Sequence, residues 1–228
     1  MTSDVVFLLD VDNTLLDNDR ILADLRELLE RSFGKASGER YWAISERLRD
    51  ELGYVDYLGA LQKYRADIEH TREAELQLLS ISSYLIDYPF ADRLYPGALD
   101  VIARLNGFGS TVILTDGDVV FQPRKLKRSG LWDAVEGRVL IYVHKEQMLD
   151  EMQLRYPATR YVMVDDKQRI LTAMKDVMGD SLVTVFPRQG HYAADPANLA
   201  RYPAADCSID SIGELLKLDI ASLIRRTP

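Results

Sequence analysis

Thiols and imidazoles are scarce in this 228-residue chain, which has one cysteine, Cys207, and three histidines, at positions 70, 144 and 191. A single thiol forms no intrachain disulfide and cannot build a tetrahedral thiolate zinc site within one chain, and histidines so scattered give no metal cluster. A reducing compartment, the cytoplasm, is the expected setting. Long apolar runs are missing too. Blocks such as Val139 to Val143 are strand-length, far below the roughly 18 residues of a membrane span. Met1 to Asp4 carries no basic region and the run Val5 to Leu9 stops at Asp10, so neither a signal peptide nor a membrane partner is expected. Basic residues are the minority, 28 Lys and Arg against 36 Asp and Glu, for a net charge of −8. With no basic excess to replace condensed counterions, a nucleic-acid partner is not expected. An anionic small substrate remains compatible, because a metal ion and a few local cations outweigh the global field inside a cleft.

What is present describes an ordered protein. Hydrophobic residues make up 47% and charged residues 28%, near the globular average and enough to bury a sizeable core. The length suits one main domain carrying a smaller inserted one.

Val5 to Leu9 is a continuous apolar block, which reads as a central parallel strand buried on both faces. Comparable blocks recur at Thr111 to Thr115, Arg138 to Val143, Tyr161 to Val164 and Leu182 to Phe186, separated by segments of helical period. This alternation predicts an α/β fold, a doubly wound, Rossmann-like parallel sheet. Between Leu15 and about Asp92 no strand block occurs. Helices are expected there over Ile21 to Phe33, Gly38 to Leu52, Tyr54 to Asp67 and Thr71 to Asp87, with Gly34, Gly53 and Tyr88-Pro89 as breakers. The reading is an inserted α-helical cap domain over 17–92, and a core domain formed by 1–16 and 93–228. Pro187 onward reads as loop, with an edge strand at Cys207 to Ile209 and a short helix from Ile212 to Leu216.

In an open parallel sheet the functional crevice lies outside the carboxyl ends of the strands. Asp10 and Asp12 follow the first strand, Thr115 closes the second, Lys145 follows the third, and Asp165 with Asp166 closes the fourth. Two carboxylates spaced two apart in extended chain project to one side, and that crowding calls for a cation or a shared proton. Two further acids make the cation the better answer. Hard oxygen donors without thiols or clustered imidazoles select magnesium over zinc. Asp17 and Asp118 read as turn formers or helix caps.

The segment Leu9-Asp10-Val11-Asp12-Asn13-Thr14-Leu15 resembles the first signature of haloacid dehalogenase-like phosphatases. Thr115 resembles the second motif, Lys145 the third, and Val164-Asp165-Asp166 the paired-acid form of the fourth. The helical insertion is similar to that superfamily's mobile cap. The resemblance implies a magnesium-dependent phosphatase that works through an aspartyl-phosphate. Asp10 is the implied nucleophile and Asp12 the implied proton donor and acceptor. Thr115, Asp116, Gly117 and Lys145 are the implied substrate-binding set. Magnesium would be held by Asp10, Asp12 through its backbone carbonyl, and Asp165, with Asp166 a further ligand or an orienter of the others.

Two positions depart from the usual pattern: Asp116 stands where many relatives have Asn, and Glu146 where proline is common. Lys125, Lys127 and Lys167 are therefore rivals for the third-motif role, Lys167 reading better as a local salt-bridge partner. The expected partner is a small phosphorylated metabolite, with the protein a monomer or homodimer. A phosphomutase is the nearest alternative; a haloacid dehalogenase or a non-catalytic binding protein is further off. His191 has at most a minor substrate role, and Arg20, Tyr54, Tyr57 and Arg65 are the cap's possible contacts.

Overall fold

The computed structural model describes residues 3–225. Its strands are β1 (Ser3–Leu9), β2 (Ser110–Asp116), β3 (Val139–Tyr142), β4 (Ala158–Val164), β5 (Leu182–Pro187) and β6 (Cys207–Ile209). They form one sheet in the order β3-β2-β1-β4-β5-β6, with every pairing parallel. The chain runs outward from β1 to β3, then returns to pair β4 with the other edge of β1, so the topological switch falls at β1.

The continuous apolar strands are explained by two buried layers. Along β1, Val5, Phe7 and Leu9 enter one hydrophobic cluster while Val6 and Leu8 enter the other. β4 does the same with Val162 and Val164 against Tyr161 and Met163. A strand whose alternate side chains both meet apolar layers has no polar face to show in its sequence. β4 begins earlier than its apolar block because Ala158, Thr159 and Arg160 are at most half-buried at the start of the strand. Their ladder bonds, not their side chains, make them strand.

Between β1 and β2 lie α1 (Asn18–Phe33), α2 (Lys35–Leu52), α3 (Tyr57–Asp67) and α4 (Arg72–Asp87), the inserted helical cap. Their caps set their bounds. Asp17 accepts from Arg20 N at 2.9 Å, Asp56 from Gly59 N at 2.7 Å, and the Thr71 hydroxyl from Ala74 N at 3.1 Å. Asp56 thus starts α3 three residues later than apolar periodicity suggests. The passages into and out of the cap lie side by side: Asp17 N donates to Arg93 O at 2.7 Å and Tyr95 N to Leu15 O at 2.9 Å. Cap and sheet share one apolar cluster, running from Phe7 and Leu9 through Leu15 and Phe90 to Tyr41 and Tyr64.

After the cap come α5 (Ala98–Asn106), α6 (Phe121–Ser129), α7 (Leu131–Ala134), α8 (Leu149–Arg155) and α9 (Gln168–Met178). Past β5 the expectation of loop is only partly met, since α10 (Gly190–Ala194), α11 (Pro196–Arg201) and α12 (Ile220–Ile224) form there. Pro196 falls in the first turn of α11, where a missing N–H costs nothing, and Asp195 caps it. No helix among the described residues is long and apolar enough to cross a membrane.

At the far edge of the sheet, Asp206 Oδ2 accepts from Thr184 N at 2.8 Å, Thr184 Oγ1 at 3.0 Å and Lys175 Nζ at 3.0 Å. Burial alone would raise this carboxyl, but the donors from Thr184 and Lys175 outweigh it and hold it below the ordinary 3.8. The unfolded chain therefore binds this proton more readily. The stabilisation is fully present above the unfolded pKa and is lost as pH falls from there through the lower folded pKa. Asp206→Asn is expected to cost about 2 kcal/mol at neutral pH, with the gap to wild type closing in acid; urea unfolding at several pH values checks both.

Candidate active site

The register places the acids. Leu9 pairs with Val164, and Asp10 N donates to Val164 O at 3.0 Å, so the residues just past β1 and β4 emerge side by side. Asp10, Asp165 and Asp166 are all buried, and one carboxylate oxygen from each lies within 4.8 Å of the others. The 3-10 turn after β3, Lys145–Gln147, sends a buried lysine into this group. Lys145 Nζ lies 2.5 Å from Asp10 Oδ1, 2.7 Å from Asp165 Oδ2 and 3.2 Å from Leu114 O.

Lys145 is in contact with two of these three carboxylates, and Lys167 acts on the group only through its field, so the buried acids keep a surplus of negative charge. Burial pushes the Asp10 carboxyl up to about 6, against the pull of Lys145 and with the push of Asp165. Burial, then Asp165, drives Asp166 well above the ordinary carboxylate range. For Lys145 burial works downward, but Asp10 and Asp165 outweigh it and keep the ammonium protonated. Among the described residues, Asp10 Oδ2 and both oxygens of Asp166 are buried without a hydrogen-bond donor. Orphaned, closely spaced, oxygen-only donors carrying surplus negative charge fit a hard divalent cation.

Asp12 stands apart from that group. Its Oδ1 pairs with Lys125 Nζ at 2.6 Å and its Oδ2 accepts from Gln122 Nε2 at 3.4 Å. Gln122 also donates to Thr115 Oγ1 at 3.1 Å, tying the end of β2 to the turn after β1. Lys125 is buried and Asp12 only partly so. Gln122 and Lys125 come from the first turns of α6, three apart and on one face.

Neither member of that pair was singled out for Asp12 by the sequence, although α6 starting five residues past the end of β2 at i and i+3 spacing is a usable signal. Of the rival lysines, Lys125 holds Asp12, Lys127 is exposed over the Trp132 ring, and Lys167 is half-buried beside the acids. Lys145 alone contacts both Asp10 and Asp165.

Asp116 Oδ1 accepts from Lys145 N at 2.8 Å and so holds the turn that presents Lys145. Gly117 N is spent on Tyr142 O at 2.9 Å. Glu146, in the place of the common proline, pairs with Arg169 at 2.8 Å. Thr14, within the first-motif segment, accepts from Asp166 N at 3.1 Å. Asp118 accepts from Val120 N and Phe121 N, as a helix cap does.

The turn after β1 is supported from β5. Gln189 Nε2 donates to Asn13 O at 3.2 Å and Thr14 O at 3.1 Å, and its Oε1 accepts from Ile212 N at 2.5 Å. Asn13 sits at φ 61°, a left-handed conformation that Asn tolerates, and Gly190 approaches it so closely that a Cβ there would lie 2.5 Å from Asn13 Cβ. His191 is bound to Asp19, with Nδ1 at 2.6 Å from Oδ1 and N at 2.8 Å from Oδ2.

A cavity of about 420 Å³ opens between cap and core, lined among others by Asp19, Arg26, Trp42, Arg49, Tyr57 and His191. Tyr57 packs edge-on against Phe121 at 5.4 Å. Of the four cap residues named from sequence, it alone lines this cavity; Arg20 is tied to Asp24 at 3.2 Å, Arg65 is exposed and Tyr54 is half-buried.

Comparisons with known proteins show the family and the fold. The family model for the haloacid dehalogenase-like hydrolases matches residues 5–177. The chain is 59% identical to a haloacid dehalogenase-like hydrolase of known structure from Burkholderia xenovorans LB400, covering 98% of this chain and 99% of that one with a TM-score of 0.88. Its fold is also similar to that of L-2-haloacid dehalogenase from Xanthobacter autotrophicus, at 16% identity, 97% and 99% coverage and a TM-score of 0.61. A HAD-hydrolase from Bacillus subtilis, solved bound to magnesium, matches at 18% identity, 95% and 98% coverage and a TM-score of 0.61. A search of curated proteins gave no match. By the family match and the site at its strand ends, the chain belongs to the haloacid dehalogenase-like hydrolases.

Proposed function

We propose that the protein is a magnesium-dependent phosphatase acting on a small phosphorylated metabolite. The observation that carries this reading is the division of the acids. Asp10, Asp165 and Asp166 form one buried group with Lys145, while Asp12, two residues on, is held apart by Lys125. One carboxylate attacks and the other moves protons, which suits displacement at phosphorus; displacement of halide from carbon has no use for the second acid.

Magnesium held by Asp10, Asp165, Asp166 and the backbone carbonyl of Asp12 would offset the surplus negative charge and polarise the phosphoryl group. The Asp10 carboxylate forms a bond to phosphorus as the bond to the leaving oxygen breaks, and Asp12 protonates that oxygen. Asp12 then takes a proton from the water that attacks phosphorus and frees Asp10. Lys145 holds positive charge against Asp10 and the transferring group. Thr115, kept in place by Gln122, supplies a hydroxyl to a phosphoryl oxygen. The cavity under the cap receives the leaving group and keeps bulk water from the first displacement.

The test is release of phosphate from an aryl phosphate with and without magnesium. Turnover that needs the metal is expected. Isomerised sugar phosphate without free phosphate would replace this reading with a phosphomutase, and metal-free chloride release from 2-chloropropionate with a dehalogenase.

A further inference from the structure

Tyr57 belongs to the cap, yet it bears on both the leaving-group cavity and Asp12. It opens α3, it is buried, and its carbonyl accepts from the Tyr41 hydroxyl at 2.9 Å. Tyr41 is itself buried within the cap cluster, so Tyr57 stands wherever the cap stands. Tyr57 lines the cavity, and its ring meets the core edge-on at Phe121, the first residue of α6, at 5.4 Å.

From Tyr57 a chain of polar contacts leads to Asp12. Burial and the nearby Asp12 charge push the Tyr57 hydroxyl up, and a hydrogen bond from the Asn18 side chain offsets part of that push. Asn18 Oδ1 accepts from Lys125 Nζ at 3.3 Å, and the same ammonium lies 2.6 Å from Asp12 Oδ1. A side-chain amide donates from one end and accepts at the other, so Asn18 can join the two. Lys125 Nζ also lies over the Phe121 ring at 5.5 Å, the ring that Tyr57 meets. Asn18 opens α1, directly after the passage out of the core, whereas Lys125 belongs to α6 of the core. The contacts therefore cross from cap to core beside the hinge.

This crossing bears on one step. Asp12 has to protonate the leaving oxygen, and proton transfer requires the acid within hydrogen-bond reach of that oxygen. We propose that Tyr57, Asn18 and Lys125 form a positioning relay through which the seated cap sets where the Asp12 carboxylate stands. Lys125 and Gln122 hold Asp12 from the core side. The Tyr57 hydroxyl holds Lys125 from the cap side, through Asn18, while Tyr57 walls the cavity that receives the leaving group. Enclosure of the leaving group and placement of its proton donor are thus one event. The relay rests on the phosphatase reading for the step it serves.

Two esters of similar size separate positioning from general damage. Phenyl phosphate needs a proton on its departing oxygen, whereas dinitrophenyl phosphate releases a stable phenolate. Tyr57→Phe keeps the ring on Phe121 and removes only the hydroxyl. In magnesium its kcat/KM for phenyl phosphate is expected to fall about tenfold, the scale of one aligned hydrogen bond, and much less for the dinitrophenyl ester. Asn18→Ala is expected to show the same split. The two changes together should do no more than Asn18→Ala alone, since both break one chain. Equal losses on the two esters, or additive losses in the double variant, overturn the relay.

The link is also read without turnover. In urea unfolding the effects of Tyr57→Phe and Lys125→Met are expected to be non-additive, and to become additive once Asn18 is replaced by alanine. The phenylalanine keeps its contact with Phe121, so the coupling reports the hydroxyl. Additivity with Asn18 in place overturns the relay. Coupling that stands in a magnesium-loaded protein hydrolysing neither ester supports the link from cap to Asp12 and removes the phosphatase reading instead.

Discussion

Asp10→Asn is expected to abolish magnesium-dependent phosphate release, lowering kcat by on the order of 10⁴ or more, the scale seen when a covalent nucleophile is removed. The amide keeps the shape of the carboxylate, but its neutral oxygen is too weak a nucleophile to form the phosphoryl bond. Loss of activity through misfolding is distinguishable, because stability is expected to move the other way. In the metal-free protein, burial raises the Asp10 pKa from 3.8 to about 6, so the native state binds this proton more tightly than the unfolded chain does. For an acid shifted upward, ionisation costs stability, and that cost grows as pH rises from the unfolded value through the folded one. At neutral pH the cost is present in full, and replacing Asp10 with neutral asparagine removes it while Lys145 remains paired with Asp165. Thermal unfolding in chelator is thus expected to show a variant at least as stable as wild type. A variant retaining full turnover would sink the assignment of Asp10 as nucleophile.

The legible part of this structure is the part governed by short-range pattern. A run such as Val5 to Leu9 reports a strand buried on both faces, and an acid at its end reports a sheet's carboxyl edge. That is why Asp10, Lys145, Asp165 and Asp166, taken from three separate strand ends or their following turns, meet in space. What the sequence withheld is what depends on distant chain. Gln189 supports Asn13 and Thr14 across a separation of 176 and 175 residues, and no local pattern marks a glutamine for that task.

Lys125 illustrates a different limit. Its residue type suggested competition with Lys145, but the face of α6 on which it lies directs it to Asp12, and only the crossing of α6 over the first turn shows this. α10 and α11 were hidden because five- and six-residue helices carry too few turns to show a period. Asp116 and Gly117 lie where the second motif puts them, yet both are engaged in fastening β2 to β3 and to Lys145. Backbone pairing at the strand end, invisible in the sequence, decides that.

Lys145→Met is expected to have the largest effect on folding stability. The methionine fills nearly the same space, so the change is one of charge. In the native protein one ammonium lies within 2.7 Å of both Asp10 and Asp165, and all three side chains are at most 4% exposed. Removing one partner of a buried ion pair strands the other, at a typical cost of 3–5 kcal/mol, and here two carboxylates are stranded beside a third, Asp166. Urea unfolding in chelator is expected to show a loss of about that size, moderated in acid where the carboxylates take up protons instead.

Saturating magnesium should recover more stability in this variant than in wild type, because the ion replaces the one ammonium that was in contact with Asp10 and Asp165. Catalysis should not return with the fold, since the transferring group loses its cation, a loss worth about 10²–10³ in kcat at comparable sites. Lys125→Met provides the contrast. Its partner Asp12 is 28% exposed and can be rehydrated, so a smaller loss of stability is expected with little response to the metal. Equal stability of Lys145→Met and wild type in chelator would mean that the acids do not depend on Lys145 for their charge balance, and the reading of this group as a metal site completed by one lysine would have to be abandoned.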